Sequence, residues 1–226
     1  MNEQRDLSQL HGRLWLAETL WKLGSIQFGD YSLGRTVRNS PVYVNAKLLI
    51  SRPTELRRTA NLIADELSMG QAMRNRQVKP FDAVAGVPIG GLHIATALSL
   101  ETNAPLLYVR PPRSGSVGNS SHIEGIYTPG QSTVIVDDLA AGGGSLVETV
   151  ERLRESGLRV HDAVVLIDRE QGATARLQMF GVRLHSILTL DVVLQYLHST
   201  GHVSDEDYER SRLYLSREGE VRSEFD

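Results

Sequence analysis

The feature that most constrains this chain is a series of five short apolar runs that begins at Phe81. The runs read FDAVAG, APLLYV, STVIV, DAVVLI and RLHSIL, and segments with a helical pattern separate most of them, at residues 91–100, 144–155 and 174–180. Runs that are apolar at nearly every position suit strands covered on both faces. Strands alternating with helices predict an α/β fold with a mostly parallel sheet, whose function sits beyond the carboxyl ends of the strands.

The segment before this core is predicted from its own pattern. Apolar residues at helical spacing predict a first helix that stops near Gly24. Two β-like segments follow, at residues 28–33 and 42–47. Because proline suits a first helical position, a further helix is expected from Pro53 to about Met69.

Composition excludes several classes of protein. The absence of cysteine excludes disulfides, thiolate metal sites and cysteine nucleophiles. A net charge of −3 does not support a nucleic-acid binder that relies on bulk charge. No apolar run approaches the roughly 18 residues of a membrane span, and the polar start MNEQRDLSQL lacks the apolar core of a signal peptide. We therefore expect a cytoplasmic protein with no nucleic-acid or membrane partner. Only three of the 24 basic residues are lysines: Lys22, Lys47 and Lys79.

The most informative stretch reads STVIVDDLAAGGGSLVETVERL. Its apolar strand runs into Asp137 and Asp138, and glycines 142–144, Ser145 and an amphipathic helix follow. Glycines let backbone N–H groups close around phosphate oxygens, and a helix N-terminus adds a favourable dipole. The two carboxylates can accept hydrogen bonds from the vicinal hydroxyls of a ribose. A simple turn with surface aspartates is the alternative. A P-loop is excluded because no Gly-Lys-Ser/Thr follows, and acids placed before the glycines fit a dinucleotide fingerprint poorly.

This constellation resembles the phosphoribosyl-diphosphate (PRPP) motif of the type I phosphoribosyltransferases. Other segments resemble orotate phosphoribosyltransferases: IQFGDYSL with NSPVYVNAKLLISRP the N-terminal hood, FDAVAGVPIGGLHIATALS the pyrophosphate-binding strand, loop and helix, and VVLIDREQGATARLQMFGVRLHSILTL the orotate-contacting strand. Together with IEGIYTPGQSTVIVDD they cover about residues 20–197. The hood and the DREQG segment favour the orotate branch over the purine branches. The resemblance implies the type I fold, a central mostly parallel sheet flanked by helices with a small hood. It implies transfer of ribose 5-phosphate from PRPP to orotate, with Mg²⁺ held mainly by PRPP and water, in a homodimer.

The resemblance, together with the charged pattern of the tail, divides the chain into three parts. Residues 1–52 would form the N-terminal helix and hood, and residues 53–198 the phosphoribosyltransferase core. Residues 199–226 would form a charged tail, helical to about Arg217 and frayed beyond it.

Roles are carried over residue by residue. Asp137 and Asp138 would hold the ribose hydroxyls, and Arg113 would act as a catalytic cation. The remaining PRPP contacts would come from Arg110, Gly90, Ala141, Gly142, Gly143, Gly144 and Ser145. The orotate contacts would come from Arg169, Arg35, Tyr43 and Val44. A surface role for Arg110 and a local ion pair of Arg169 with Asp168 and Glu170 are the alternatives, and Gly34 is the alternative to Arg35.

The sequence departs from the family in its mobile loop, VRPPRSGSVGNSSHIEG. Pro111 and Pro112 stand where the family has a lysine, and Arg113 is the only other cation inside the loop. Val117 lies near the expected His or Tyr, and His122 comes later. Either Arg113 substitutes for a lysine, or the loop has lost its catalytic role.

Two further departures concern specificity. Ala141 replaces a threonine that touches the pyrimidine, and adenine phosphoribosyltransferases carry a similar alanine motif. Gly90 stands where the family often has a basic residue. Three hypotheses therefore stay open: an orotate phosphoribosyltransferase, a PRPP- or nucleotide-binding regulator with little catalysis, and a phosphoribosyltransferase for another base.

Overall fold

The computed structural model describes residues 2–33, 37–110 and 123–223. Its strands are β1 Ile26–Leu33, β2 Val37–Val44, β3 Ala83–Gly86, β4 Leu106–Val109, β5 Ile123–Glu124, β6 Ser132–Ala140, β7 Arg159–Asp168 and β8 Arg183–Thr189. Its helices are α1 Asn2–Lys22, α2 Pro53–Ala72, α3 Gly90–Thr102, α4 Gly144–Glu155, α5 Ala173–Met179, α6 Leu190–Ser199 and α7 Asp205–Ser223, with a 3-10 helix at Ala46–Ser51.

The core is a six-stranded sheet in the order β5-β4-β3-β6-β7-β8, parallel except for the edge strand β5. Successive residues of its central strands enter opposite hydrophobic clusters. Val134 and Val136 pack with residues of α1, α2, α3 and α6, whereas Ile135 packs with residues of α4 and α5. Helices on both faces explain why these strands are apolar at nearly every position. The predicted α/β fold with a mostly parallel sheet is confirmed.

The N-terminal part adds a hairpin to this core. β1 and β2 pair antiparallel, with Ile26 opposite Val44 and Phe28 opposite Val42. Val42 and Val44 are buried in the same hydrophobic cluster as the α1 residue Leu20. The hairpin is therefore packed onto the core and holds one end of β2 beside it.

Several predicted boundaries are wrong in an instructive way. The second β-like segment, residues 42–47, is the end of β2 followed by the start of the 3-10 helix, because Ala46 and Leu49 are buried at a helical spacing. The helix α6 was not predicted, since its apolar residues continue directly from those of β8. The tail helix continues to Ser223 instead of fraying near Arg217.

Candidate active site

The candidate site lies in a crevice at the carboxyl ends of β3 and β6. These strands are neighbours, but the chain leaves β3 towards β4 on one side and leaves β6 towards β7 on the other. Such a switch in direction opens a crevice where α/β proteins bind ligands. The pairing of β3 with β6 ends at Gly86 and Val136. Asp137 and Asp138 come next and thus lie just beyond the end of the neighbouring strand.

The two aspartates form a tightly packed acidic pair. Asp137 is 7% exposed and Asp138 is 8% exposed. The backbone N–H of Asp138 donates to Asp137 Oδ1 at 2.8 Å. Burial, together with the charge of Asp138, raises the pKa of Asp137 well above its ordinary value. Two adjacent acceptors with little access to water are suited to receive two neighbouring hydroxyl groups.

Two glycines let the start of α3 approach this pair. A Cβ at Gly91 would lie 2.2 Å from the carbonyl oxygen of Val136, and a Cβ at Gly90 would lie 2.3 Å from Asp138 Oδ1. A side chain at either position would collide with β6 or with the carboxylate. This contact gives a physical reason for Gly90, which stands where the resembled family often has a basic residue.

The glycine loop is held by α5 so that α4 begins at the crevice. The backbone N–H of Ala173 donates to Ala141 O at 3.0 Å, and Arg176 Nη1 donates to Gly142 O at 2.9 Å. Gly143 caps α4 in a left-handed conformation, φ +72°, without a side-chain hydrogen bond to the helix. The first N–H groups of α4 have no partner within the helix, so they and the Ser145 hydroxyl can receive an anion.

Arg110 faces the same helix start across a cavity of about 130 Å³, which is lined by Val87, Pro88, Val109, Arg110, Ser145, Glu148, Thr149 and Arg152. Arg110 directly follows β4, as predicted, and its Nη2 lies 3.1 Å from Glu124 Oε1 of β5. This partly exposed ion pair holds the arginine at the mouth of the crevice. The geometry suits a second anionic group beside the one at α4.

Arg169 connects the end of β7 to β2. It is 2% exposed, and it donates to Ser40 Oγ at 2.9 Å, to Val42 O at 3.5 Å and to Gln171 Oε1 at 3.0 Å. These bonds place β2 residues Tyr43 and Val44 at the same end of the sheet as the acidic pair. Val44 is buried, and the Tyr43 ring lies 5.4 Å from the ring of Tyr31. The role of Arg169 in binding a pyrimidine stays a prediction.

Two basic side chains beside Asp138 were missed by the sequence reasoning. Lys47 of the 3-10 helix places Nζ 3.2 Å from Asp138 Oδ2. Burial lowers the pKa of His93 on α3, while the charge of Asp138 raises it and the charge of Lys47 lowers it. Its Nε2 is buried without a hydrogen-bond partner among the described residues. Sequence spacing carries no signal for a contact between residues 91 positions apart.

Comparisons with known proteins agree with this geometry. A profile of the phosphoribosyl transferase domain matches residues 64–196. The chain is 36% identical to orotate phosphoribosyltransferase of Cenarchaeum symbiosum over 178 residues, which cover 79% of this chain and 86% of that protein. The chain belongs to the orotate phosphoribosyltransferase family. The crystal structure of orotate phosphoribosyltransferase from Aeropyrum pernix superposes with a TM-score of 0.67 at 34% identity, covering 81% of this chain and 99% of that one.

A longer relative matches as well. The chain is 36% identical to bovine uridine 5′-monophosphate synthase over 200 residues, 88% of this chain. It spans 40% of the length of that protein.

Most of the family's expected site residues meet at one end of the sheet. Asp137, Asp138, Gly90, Arg110 and residues 141–145 lie at or just after the carboxyl ends of β3, β4 and β6, and the buried Arg169 follows the end of β7. Arg35, Gly34, Arg113 and the loop departures at Pro111, Pro112, Val117 and His122 lie outside the described residues. Within the described ranges, no helix is long and apolar enough to cross a membrane.

Proposed function

We propose that the protein transfers ribose 5-phosphate from PRPP to orotate, giving orotidine 5′-monophosphate and pyrophosphate, a step of pyrimidine nucleotide biosynthesis. The observation that carries this proposal is the buried Asp137–Asp138 pair directly before the glycine loop at the start of α4. An acidic pair beside an anion-binding helix start matches a sugar phosphate, with hydroxyls on one side and a phosphate on the other. Relatives named orotate phosphoribosyltransferase support orotate as the base.

Each part of the crevice has a role in this reaction. Asp137 and Asp138 accept hydrogen bonds from the ribose hydroxyls, and residues 141–145 hold the 5-phosphate. Arg110 binds the pyrophosphate, and β2 together with Arg169 holds the pyrimidine. The bond from ribose C1 to the pyrophosphate oxygen breaks while a bond to a ring nitrogen of orotate forms, and the proton of that nitrogen is released to water or to the leaving pyrophosphate. Since positive charge develops on the ribose as a polyanion leaves, preformed charges and orientation supply the rate enhancement.

Magnesium, assembly and location are part of the proposal. Mg²⁺ would arrive with PRPP, bound mainly by phosphate oxygens and water, as suits an ion that keeps much of its hydration. The described residues contain no group of three or more His, Asp or Glu that could hold a metal ion. A homodimer is expected, since the loop of the resembled family closes over the neighbouring subunit. A cytoplasmic location is also part of the proposal. Sedimentation at several protein concentrations tests the dimer, and a monomer of about 25 kDa throughout would contradict it.

A second function is favoured by the loop sequence. Because Pro111 carries no charge and stiffens the backbone where the family has a lysine, PRPP binding without efficient turnover is the competing proposal. Both functions require that the crevice binds PRPP, which calorimetry tests. A measurement of turnover distinguishes the enzyme from the regulator.

The test is a panel assay with PRPP, Mg²⁺ and one base at a time: orotate, uracil, adenine or hypoxanthine. We expect orotidine 5′-monophosphate from orotate and little product from the others. If only a purine is turned over, orotate is the wrong base but the phosphoribosyl transfer is retained. Ala141 would then be the first residue to examine. PRPP binding without turnover of any base would favour the regulatory function, and absence of PRPP binding would reject both.

A further inference from the structure

Lys47 reaches the acidic pair from a different part of the chain. The 3-10 helix that carries it directly follows β2, and buried Ala46 and Leu49 anchor this helix to the core. The Lys47 side chain is about half exposed, whereas the Asp138 side chain is 12% exposed. The ammonium group therefore contacts Asp138 Oδ2 from the open side of the crevice, where a substrate would enter.

The acidic pair needs a nearby positive charge. Asp137 and Asp138 are adjacent and buried, and both burial and mutual repulsion favour a proton on one of them. Burial and the charge of Asp138 raise the pKa of Asp137, whereas the hydrogen bond from the backbone N–H of Asp138 and the charge of Lys47 lower it. A carboxylic acid that keeps its proton is a poorer acceptor for a ribose hydroxyl than a carboxylate.

Among the residues that the structure describes, the other charged or titratable groups packed near the pair are engaged elsewhere or are predominantly uncharged. Burial lowers the pKa of His93 on α3, which favours the neutral form of this imidazole. On β7 and just after it, Arg169 donates to β2, and Asp168 accepts from the backbone N–H of Glu170. A cation at position 90 on α3 would collide with the Asp138 carboxylate. Within the part of the chain that the structure describes, Lys47 is thus the cation that contacts the pair.

We propose that Lys47 is a positioning residue for PRPP, because its contact with Asp138 Oδ2 at 3.2 Å holds that carboxylate in place and offsets the negative charge of the acidic pair that accepts the two ribose hydroxyls. The inference rests on the proposed function, since it assumes that the crevice binds PRPP. Lys47 acts on PRPP only through the aspartates, and it prepares them in the free protein before PRPP binds. Its loss therefore lowers PRPP affinity in a pH-dependent manner while leaving the turnover of bound substrate nearly unchanged.

Without the Lys47 charge, the pKa of Asp137 rises further, so Asp137 takes up a proton at a higher pH than in the wild type. PRPP affinity of Lys47→Gln is expected to fall about three- to tenfold at pH 6.5 and to recover at pH 8.5, an effect moderated by the half-exposed position of the lysine. Lys47→Arg keeps the charge and is expected to restore the wild-type profile.

The experiment combines two measurements on the full chain. Carboxyl ¹³C NMR of the free protein reports the titration of the aspartates, and kcat and KM for PRPP are measured from pH 6 to pH 9. Lys22→Gln is the matched control, because Lys22 lies on α1 in an exposed pair with Glu18. This control is expected to titrate and turn over like the wild type.

The outcomes separate this inference from the proposed function. An upward shift in the titration of the pair in Lys47→Gln, reversed in Lys47→Arg, supports it. The inference is overturned if the titration is unchanged in a folded Lys47→Gln, or if KM for PRPP rises by the same factor at every pH. If the NMR titration of Lys47→Gln is shifted but the protein binds no PRPP, the electrostatic role of Lys47 is supported and its role in positioning PRPP is rejected. That result would also reject the proposed function, which the panel assay tests without any Lys47 variant.

Discussion

Gly91→Ala tests the packing that brings α3 against the acidic pair. The added Cβ would lie 2.2 Å from Val136 O and 2.8 Å from Asp137 Cα. Both neighbours are backbone atoms of the central strand β6, so no side chain can rotate away, and α3 must separate from β6 by about 1 Å. Overpacking of this kind costs about 3 kcal/mol. The better helix propensity of alanine offsets about 1 kcal/mol, which leaves a net destabilisation of about 2 kcal/mol.

Two measurements check this value. Thermal unfolding of Gly91→Ala is expected to show a Tm lower than that of the wild type by roughly 4–8 °C. Calorimetry is expected to show weaker PRPP binding, by tenfold or more, because Asp137 moves with the strand. Gly12→Ala is the matched control, since its Cβ on α1 meets nothing within 4 Å, and its Tm should equal or exceed that of the wild type. A Gly91→Ala variant with wild-type Tm and PRPP affinity would refute the reasoning.

Three other changes have distinct expected results. Ser40→Ala removes the acceptor of Arg169 Nη2 at a fully buried position. We expect the free energy of unfolding, measured in urea, to fall by about 1–3 kcal/mol. KM for orotate should rise by a larger factor than KM for PRPP. An unchanged KM for orotate would show that this contact of Arg169 does not contribute to base binding. Gly143→Ala places a side chain at φ +72° and 3.0 Å from Ala173 Cα, so calorimetry should show weaker PRPP binding, and wild-type affinity would count against the loop as the phosphate site. His93 has a pKa lowered from its ordinary value of 6.5, so the unfolded state binds its proton first and stability falls as pH drops below about 6.5. The urea midpoint of His93→Gln should depend less on pH between 7.5 and 5.5, and equal slopes would contradict this.

Local patterns predicted the elements around the crevice well. The helix predicted at residues 144–155 has those bounds in the structure, because the glycines before it and its amphipathic face both mark the helix. Boundaries were less accurate where apolar residues run on without a break. Leu188, Leu190 and Val193 are all buried, and the switch from β8 to α6 is marked only by Thr189, whose Oγ1 accepts from the N–H of Val192 at 3.3 Å.

Long-range contacts could not be predicted in the same way. The acidic pair and the glycine loop are contiguous in sequence, so their shared site follows from one motif. Lys47 meets Asp138 across 91 positions, and Arg169 meets Ser40 across 129 positions. Only the folded packing of β2 and the 3-10 helix brings these groups together. The site is therefore built from a local motif that sequence reveals and from distant side chains that only the structure reveals.

The most direct test of the central claim compares the wild type with the double variant Asp137→Asn, Asp138→Asn in steady-state formation of orotidine 5′-monophosphate from orotate, PRPP and Mg²⁺. Both substitutions keep the size of the side chain and remove the negative charge that accepts the ribose hydroxyls. Since each hydrogen bond to a charged group contributes about 1.5–3 kcal/mol, kcat/KM for PRPP should fall by about 10²- to 10⁴-fold. Wild-type turnover no faster than that of the folded double variant would contradict the account.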